Sequence, residues 1–299
     1  MSLILLATLL SQKSVPLVPA TVPAASTLRG IAAGNGILLI VGPNGLTWRS
    51  DDKGATWVSQ PHGFNNFFER IGFGSGRFVM TGGSGSLITT VGGNPIAYPN
   101  GPGAATDAST TYTTHYANGR FVTVGGLGRI RTSADGSWWT DAVNASAANM
   151  YGVNYMNGRW IAVGADLAMR SSTDGVNWTG WTTNLAWFGK NLTDIAYDGS
   201  TYVTVGNSGV IASSTNATTW TIQTSGTTSP LWAVEHANGL FVVVGQNGTI
   251  LRSTDGVSWL ASVSGTTGRI SEVIFANGMW YIVGDAGYVR RSTDAINWV

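Results

Sequence analysis

The stretch Gly245-Gln246-Asn247-Gly248-Thr249-Ile250-Leu251-Arg252-Ser253-Thr254-Asp255-Gly256-Val257-Ser258-Trp259 decides the fold, because the chain repeats it. A glycine ending a β-branched run recurs at Gly42, Gly82, Gly125, Gly164, Gly206, Gly245 and Gly284, at intervals of 39 to 43 residues. Fourteen residues further on stands Trp139, Trp178, Trp220, Trp259 or Trp298, with Trp57 one place late. A period of about 40 residues built from strand-like units marks a propeller or an array.

The unit around this stretch shows how each repeat is punctuated. Leu231 to Ala237 is a short apolar run closed by Asn238-Gly239. Asn-Gly favours a two-residue hairpin, because a type I′ turn needs positive φ at both positions. Leu240 to Val244 is continuously apolar, as a strand covered on both faces should be. Gly245 to Gly248 then turns the chain, Thr249 to Ser253 makes a third strand, and Trp259 opens a fourth. Four antiparallel strands make one propeller blade. The Asn-Gly turn recurs at Asn35, Asn118, Asn157 and Asn277, and the G-x-x-G turn fails only in unit four, where Leu167 replaces its second glycine. The expectation is an all-β chain: a seven-bladed β-propeller of four-stranded antiparallel blades over residues 27–299, with a short N-terminal extension over 1–26.

Bulk composition narrows the function classes. Charged residues are 10% of the chain, against an ordinary level of roughly 25%. A net charge of +1 argues against nucleic acid or an acidic membrane as partner. There is no cysteine, and His62, His115 and His236 show no metal-ligand spacing. The glycine cluster Gly72 to Gly76 lacks the helix and the G-K-[ST] of a phosphate loop. No cofactor and no metal are therefore expected. Leu3 to Leu10 is too short to span a bilayer, and Pro16, Pro19 and Pro23 favour extended chain. This extension is expected to dock on a partner or on blade seven rather than to be cleaved as a signal peptide.

The third turn carries a recognisable phrase. Ser50-Asp51-Asp52-Lys53-Gly54-Ala55-Thr56-Trp57 reads S-x-D-x-G-x-T-W, and shorter copies end at Trp139, Trp178 and Trp259, with weaker ones at Trp220 and Trp298. An aspartate or asparagine in such a turn accepts backbone N–H groups two residues on, and the tryptophan buries a large apolar surface. Asp52, Asp135, Asp174, Asp255 and Asp294, with their tryptophans, are thus read as structural and not as metal ligands. Unit two lacks the motif, with Gly92 and Ile96 at its positions. These turns resemble the Asp-box, or bacterial neuraminidase repeat, superfamily. The seven-fold count and the A-N-G-x-F-V-x-V-G phrase are also similar to photosystem II assembly-factor propellers and to repeat proteins of phage virions.

That resemblance implies fold more than activity. A sialidase-like glycoside hydrolase would need three converging arginines, a tyrosine–glutamate nucleophile and an acid. Phe68-Glu69-Arg70-Ile71 is a loose echo of the family's F-R-I-P phrase, and the chain has three glutamates, Glu69, Glu235 and Glu272. Arginines on third strands (Arg49, Arg131, Arg170, Arg252, Arg290 and Arg291) are read as long stems covering strand surfaces. Function is sought in the non-repeating loops, where Phe64, Phe67, Tyr98, Trp181, Trp187 and Phe188 are the candidate binding residues. The expected role is a non-catalytic binding or structural propeller in a phage virion or tail, or at an extracellular surface, meeting a protein in a larger assembly or a surface glycan. The alternatives are the hydrolase and an assembly factor that binds a membrane-protein complex.

Overall fold

The computed structural model describes residues 22, 27–61, 65–83, 87–91, 94–96, 109–142, 147–181 and 190–299. The extension before residue 22 and the candidate residues Phe64, Tyr98, Trp187 and Phe188 lie outside these. Each repeat folds as an antiparallel meander whose strands pair in chain order. Among the described residues, six sheets have four strands, and the last, built from Ile270–Ala276, Met279–Gly284 and Val289–Ser292, has three. The architecture is therefore an all-β propeller with six complete blades, where seven had been expected, and a three-stranded closing sheet.

First strands line the axis: Gly30–Gly34, Phe68–Gly74, Thr111–Ala117, Met150–Met156, Leu192–Tyr197, Leu231–Ala237 and Ile270–Ala276. Each lies against the next, and the last lies against the first, so the ring is closed. Leu28 N–H donates to Gly284 O at 3.0 Å across that junction. Second strands are almost wholly buried, as in Leu240–Gly245 and Met279–Gly284, which explains their unbroken apolar sequence. Apolar clusters fill the spaces between successive sheets, for example Val203, Val205, Ile211, Leu231, Val234, Phe241 and Val243.

The repeated turn residues do what their chemistry allows. Asn238 and Gly239 sit at φ 52° and 73°, the left-handed pair that a type I′ turn requires. The repeat glycine has a different reason. Gly245 is extended at φ −162°, so backbone freedom is not its purpose. A β-carbon at any of the seven would lie 1.9 to 2.5 Å from a carbonyl oxygen just before the first strand of the same sheet. Leu167 departs from the glycine pattern at φ 61° but buries its side chain, which compensates for the strained backbone.

The S-x-D turns close as their residue types suggest. Asp174 accepts from Ser172 Oγ and from the N–H groups of Val176 and Asn177, each at 2.8 Å. These bonds, led by that from Asn177 N–H, hold its carboxyl well below the usual range, and Asp255 is brought to about 2 in the same way by Ser258 and Val257. Asp52, Asp135 and Asp294 bond within their own turns as well, so the aspartates stay on separate sheets. Trp57, Trp139, Trp178 and Trp220 are buried, whereas Trp259 and Trp298 are only partly so.

In the closing sheet Val299 and Arg291 exchange two backbone hydrogen bonds, at 2.8 and 3.0 Å. Val22, the one described residue of the extension, packs against an apolar cluster that includes Ile31 and Leu38 of the first sheet and Tyr281, Val283 and Val289 of the closing sheet.

Candidate functional site: the central channel and its mouth

Six of the seven first strands carry the same irregularity near their start. The register slips by one residue at Glu69, Tyr112, Tyr151, Thr193, Trp232 and Ser271. Arg29 takes the same repeat position in the first sheet, just before Gly30. A bulge leaves its extra residue unpaired and re-aims its side chain. These seven residues therefore ring one end of the channel, on the face that also carries the inter-sheet loops and the G-x-x-G turns. The Asn-Gly hairpins and the S-x-D turns occupy the opposite face.

At this mouth the side chains meet in pairs. Tyr112 and Tyr151 pack with ring centroids 5.1 Å apart. The Arg269 guanidinium lies 4.2 Å from the centre of the Trp232 ring, and that of Arg29 lies 5.5 Å from Phe67. Phe67 is exposed, and the other five are partly buried. Burial, followed by the neighbouring charges of Arg29 and Arg70, pulls Arg269 down to about 9. It therefore remains protonated at neutral pH.

Below the mouth is a cavity of about 300 Å³ lined by Arg70, His115, Asn154, Asp194, Glu235 and Glu272 among others. Arg70 Nε pairs with Glu272 at 2.6 Å, and its Nη1 donates to Arg29 O at 2.8 Å. Asp194 accepts the N–H groups of Ile195 at 2.8 Å and Val234 at 2.9 Å. Even so, burial and then Glu272 push Asp194 up to about 7. Glu235 is pushed up to about 8 by burial, then by Asp194 and Glu272. Glu272 is raised by burial against the opposing pull of Arg70. Arg70 forms an ion pair with one of the three carboxyls, and burial of all three together favours their protonated forms. Burial drives His115 down to about 4, with its ring 6.0 Å from that of Trp160. No group of three His, Cys, Asp or Glu among the described residues is arranged to hold a metal ion.

Of the candidate residues named from sequence, Phe67 stands at this mouth. Trp181 does not join it. It packs into the cluster between the fourth and fifth sheets, with Arg159 5.9 Å from its ring centre. Of the third-strand arginines, Arg49 is held by Asp51 at 2.6 Å, Arg131 by Asp141 at 3.1 Å and Arg252 by Ser262 Oγ at 3.2 Å, while Arg291 reaches across the ring junction to Lys53 O at 2.8 Å. Sequence reasoning missed Arg29, Tyr112, Tyr151, Asp194, Trp232 and Arg269. The signal lay in one repeat column, thirteen residues before each repeat glycine, which reads Arg29, Glu69, Tyr112, Tyr151, Thr193, Trp232, Ser271. The column before it is apolar in every repeat but the third, whereas this one and the next (Gly30, Arg70, Thr113, Gly152, Asp194, Ala233, Glu272) do not repeat their chemistry.

No family model and no curated protein matches the chain. Among solved structures it is similar to YCF48 from Cyanidioschyzon merolae, with TM-score 0.69 and 17% identity over 91% of this chain and 97% of that one. It is similar to YCF48 bound to D1 peptide, with TM-score 0.75 and 17% identity over 92% and 95% of the two chains. The WD40 β-propeller domain of Doa1 gives TM-score 0.68 and 15% identity over 92% and 95%. At these identities the likeness concerns the fold, and the fold is a β-propeller.

Proposed function

We propose that this chain is a non-catalytic propeller that binds a protein partner within a larger assembly, closer to the assembly-factor reading than to a virion or glycan-binding one. The observation that carries it is the mouth. Its ring of bulged positions departs from the repeat and presents tyrosine, tryptophan and arginine, the residue types that dominate protein interfaces. The sequence resemblance to photosystem II assembly-factor propellers and the likeness to YCF48, one structure of which holds a D1 peptide, support a peptide-binding use. A photo-crosslinking amino acid placed at Tyr151 should capture one defined protein in native particles, and one placed at Asn277 on the opposite face should not. Capture only at Asn277 would overturn the reading.

One observation favours the hydrolase: Arg29, Arg70 and Arg269 do gather at the channel. Against it, Arg70 is engaged by Glu272, and no tyrosine hydroxyl is hydrogen-bonded to a carboxylate among the described residues. Turnover of a fluorogenic sialoside, lost on Arg269→Gln, would reverse this ranking. A virion or outer-surface location rests on the sparse charge and is tested by immunogold labelling of native particles.

A further inference from the structure

Four hydrogen-bond donors on three adjoining sheets have no partner. Arg29 Nε, Trp232 Nε1, Arg269 Nε and Ser271 Oγ are buried and unbonded among the described residues. Leaving such a group unsatisfied costs about 1–3 kcal/mol, so four along one arc of the mouth point to something that accepts from them. Arginine and tryptophan only donate, and serine can donate. The complement is an acceptor-rich, negatively charged group.

The geometry narrows it further. Arg269 and Arg29 lie over the Trp232 and Phe67 rings, and a guanidinium presents its N–H groups as a planar fork. Glu272 is taken by Arg70, and no carboxylate forms an ion pair with Arg29 or Arg269 among the described residues. A carboxylate matches such a guanidinium fork with its two oxygens. We propose that Arg29 and Arg269, with Trp232 and Ser271 between them, form a carboxylate site that takes an aspartate or glutamate side chain of a partner polypeptide. The inference rests on the protein-binding reading and adds the chemistry that the partner must present.

The test uses the full chain, ¹⁵N-labelled, and a blocked peptide acetyl-Gly-Ser-Glu-Glu-Gly-Ser-amide. Its glutamine counterpart, inorganic phosphate and sialyllactose are the comparison probes. The glutamate peptide is expected to shift the Trp232 indole N–H resonance, assigned with Trp232→Phe. It should bind at least threefold more tightly than the glutamine peptide, and the double variant Arg29→Gln/Arg269→Gln should weaken it at least threefold. A smaller difference in either comparison overturns the inference, as does tighter binding of phosphate or sialyllactose. If the double glutamine variant does not fold, Arg29→Lys/Arg269→Lys keeps the charge and loses the fork. The same threefold weakening is then required. A Tyr151 cross-link of undiminished yield in the arginine variants would sink the carboxylate site while the protein-binding reading stands. Absence of that cross-link from the unaltered protein fails the reading itself.

Discussion

The carbonyl oxygen of Pro230 lies 2.4 Å from the place a β-carbon on Gly245 would occupy. The carbonyl just before the first strand of the blade comes too close to the end of the second strand there for any side chain. The backbone of Gly245 is extended, so an alanine would strain no dihedral and would act through this clash alone. Gly245→Ala should lower stability by about 1–3 kcal/mol, the usual range for overpacking. Gly36→Ala is the control, because nothing lies within 4 Å of a β-carbon there and only its φ of 79° opposes a side chain. Urea denaturation should show the Gly245 variant to be the less stable. Equal midpoints would refute the role of this close approach.

The box tryptophans should divide into two grades. Trp178 is 0% exposed, and its indole N–H donates to Gly175 O at 3.1 Å. Trp178→Ala should cost about 3–5 kcal/mol. Trp259 is only partly buried beside Phe241, and its indole N–H has no partner. Trp259→Ala should therefore cost less, about 1–3 kcal/mol, and Trp259→Phe under about 1, since no hydrogen bond is lost. Melting temperatures of the three variants order these costs. A Trp259→Ala loss as large as that of Trp178→Ala would contradict the difference in burial.

What was legible in the sequence is what the backbone dictates locally. Asn238-Gly239, Gly245 and Asp255 each meet a conformational or steric demand that few other residues satisfy; the glycine recurs in every repeat and the other two in most. The mouth was not legible in the same way. Trp232 sits inside the apolar run Leu231–Ala237 and looks like core until the bulge re-aims it. Asp194 and Glu272 are far apart in the chain, and the side-by-side packing of three successive first strands brings them beside Glu235. Trp181 misled for the opposite reason. Its place after a box turn suggested a loop, but it pairs with Met169 as strand and packs inward.

Val22 packs against the apolar cluster that the first and closing sheets share, so the extension should contribute to ring closure. We expect deletion of residues 1–25 to raise amide exchange at Leu28, whose N–H reaches Gly284 O, and in the closing-sheet strand Val289–Ser292. Val22→Asp in the full chain should have the same effect at smaller scale, because a carboxylate cannot enter that apolar cluster uncompensated. Hydrogen exchange unchanged in both variants would leave the extension no part in closing the ring.

The carboxyls of the channel set an unusual pH dependence. Asp194 titrates near 7 and Glu235 near 8 in the folded chain, against about 4 for such groups unfolded. Between these values the folded state holds more protons than the unfolded state, so stability falls as pH rises from about 4 to 8. Below about 4 both states are protonated at these groups, and above about 8 the full penalty is present. The turn aspartates act in the other direction. Asp174 and Asp255 have depressed values, and their contribution is lost only as pH falls below about 4, which separates the two windows. The channel lies open to water, so the combined penalty is put at about 1–3 kcal/mol and not at the full sum of the shifts. Glu235→Gln removes one buried charge while keeping the side-chain shape, and should flatten the slope and stabilise the protein at pH 8.5 while changing little at pH 4.5. Urea midpoints of the two proteins at these pH values decide it. A wild-type midpoint that rises from pH 5 to 8 would show that the channel carboxyls are solvated and ionised as ordinary surface acids.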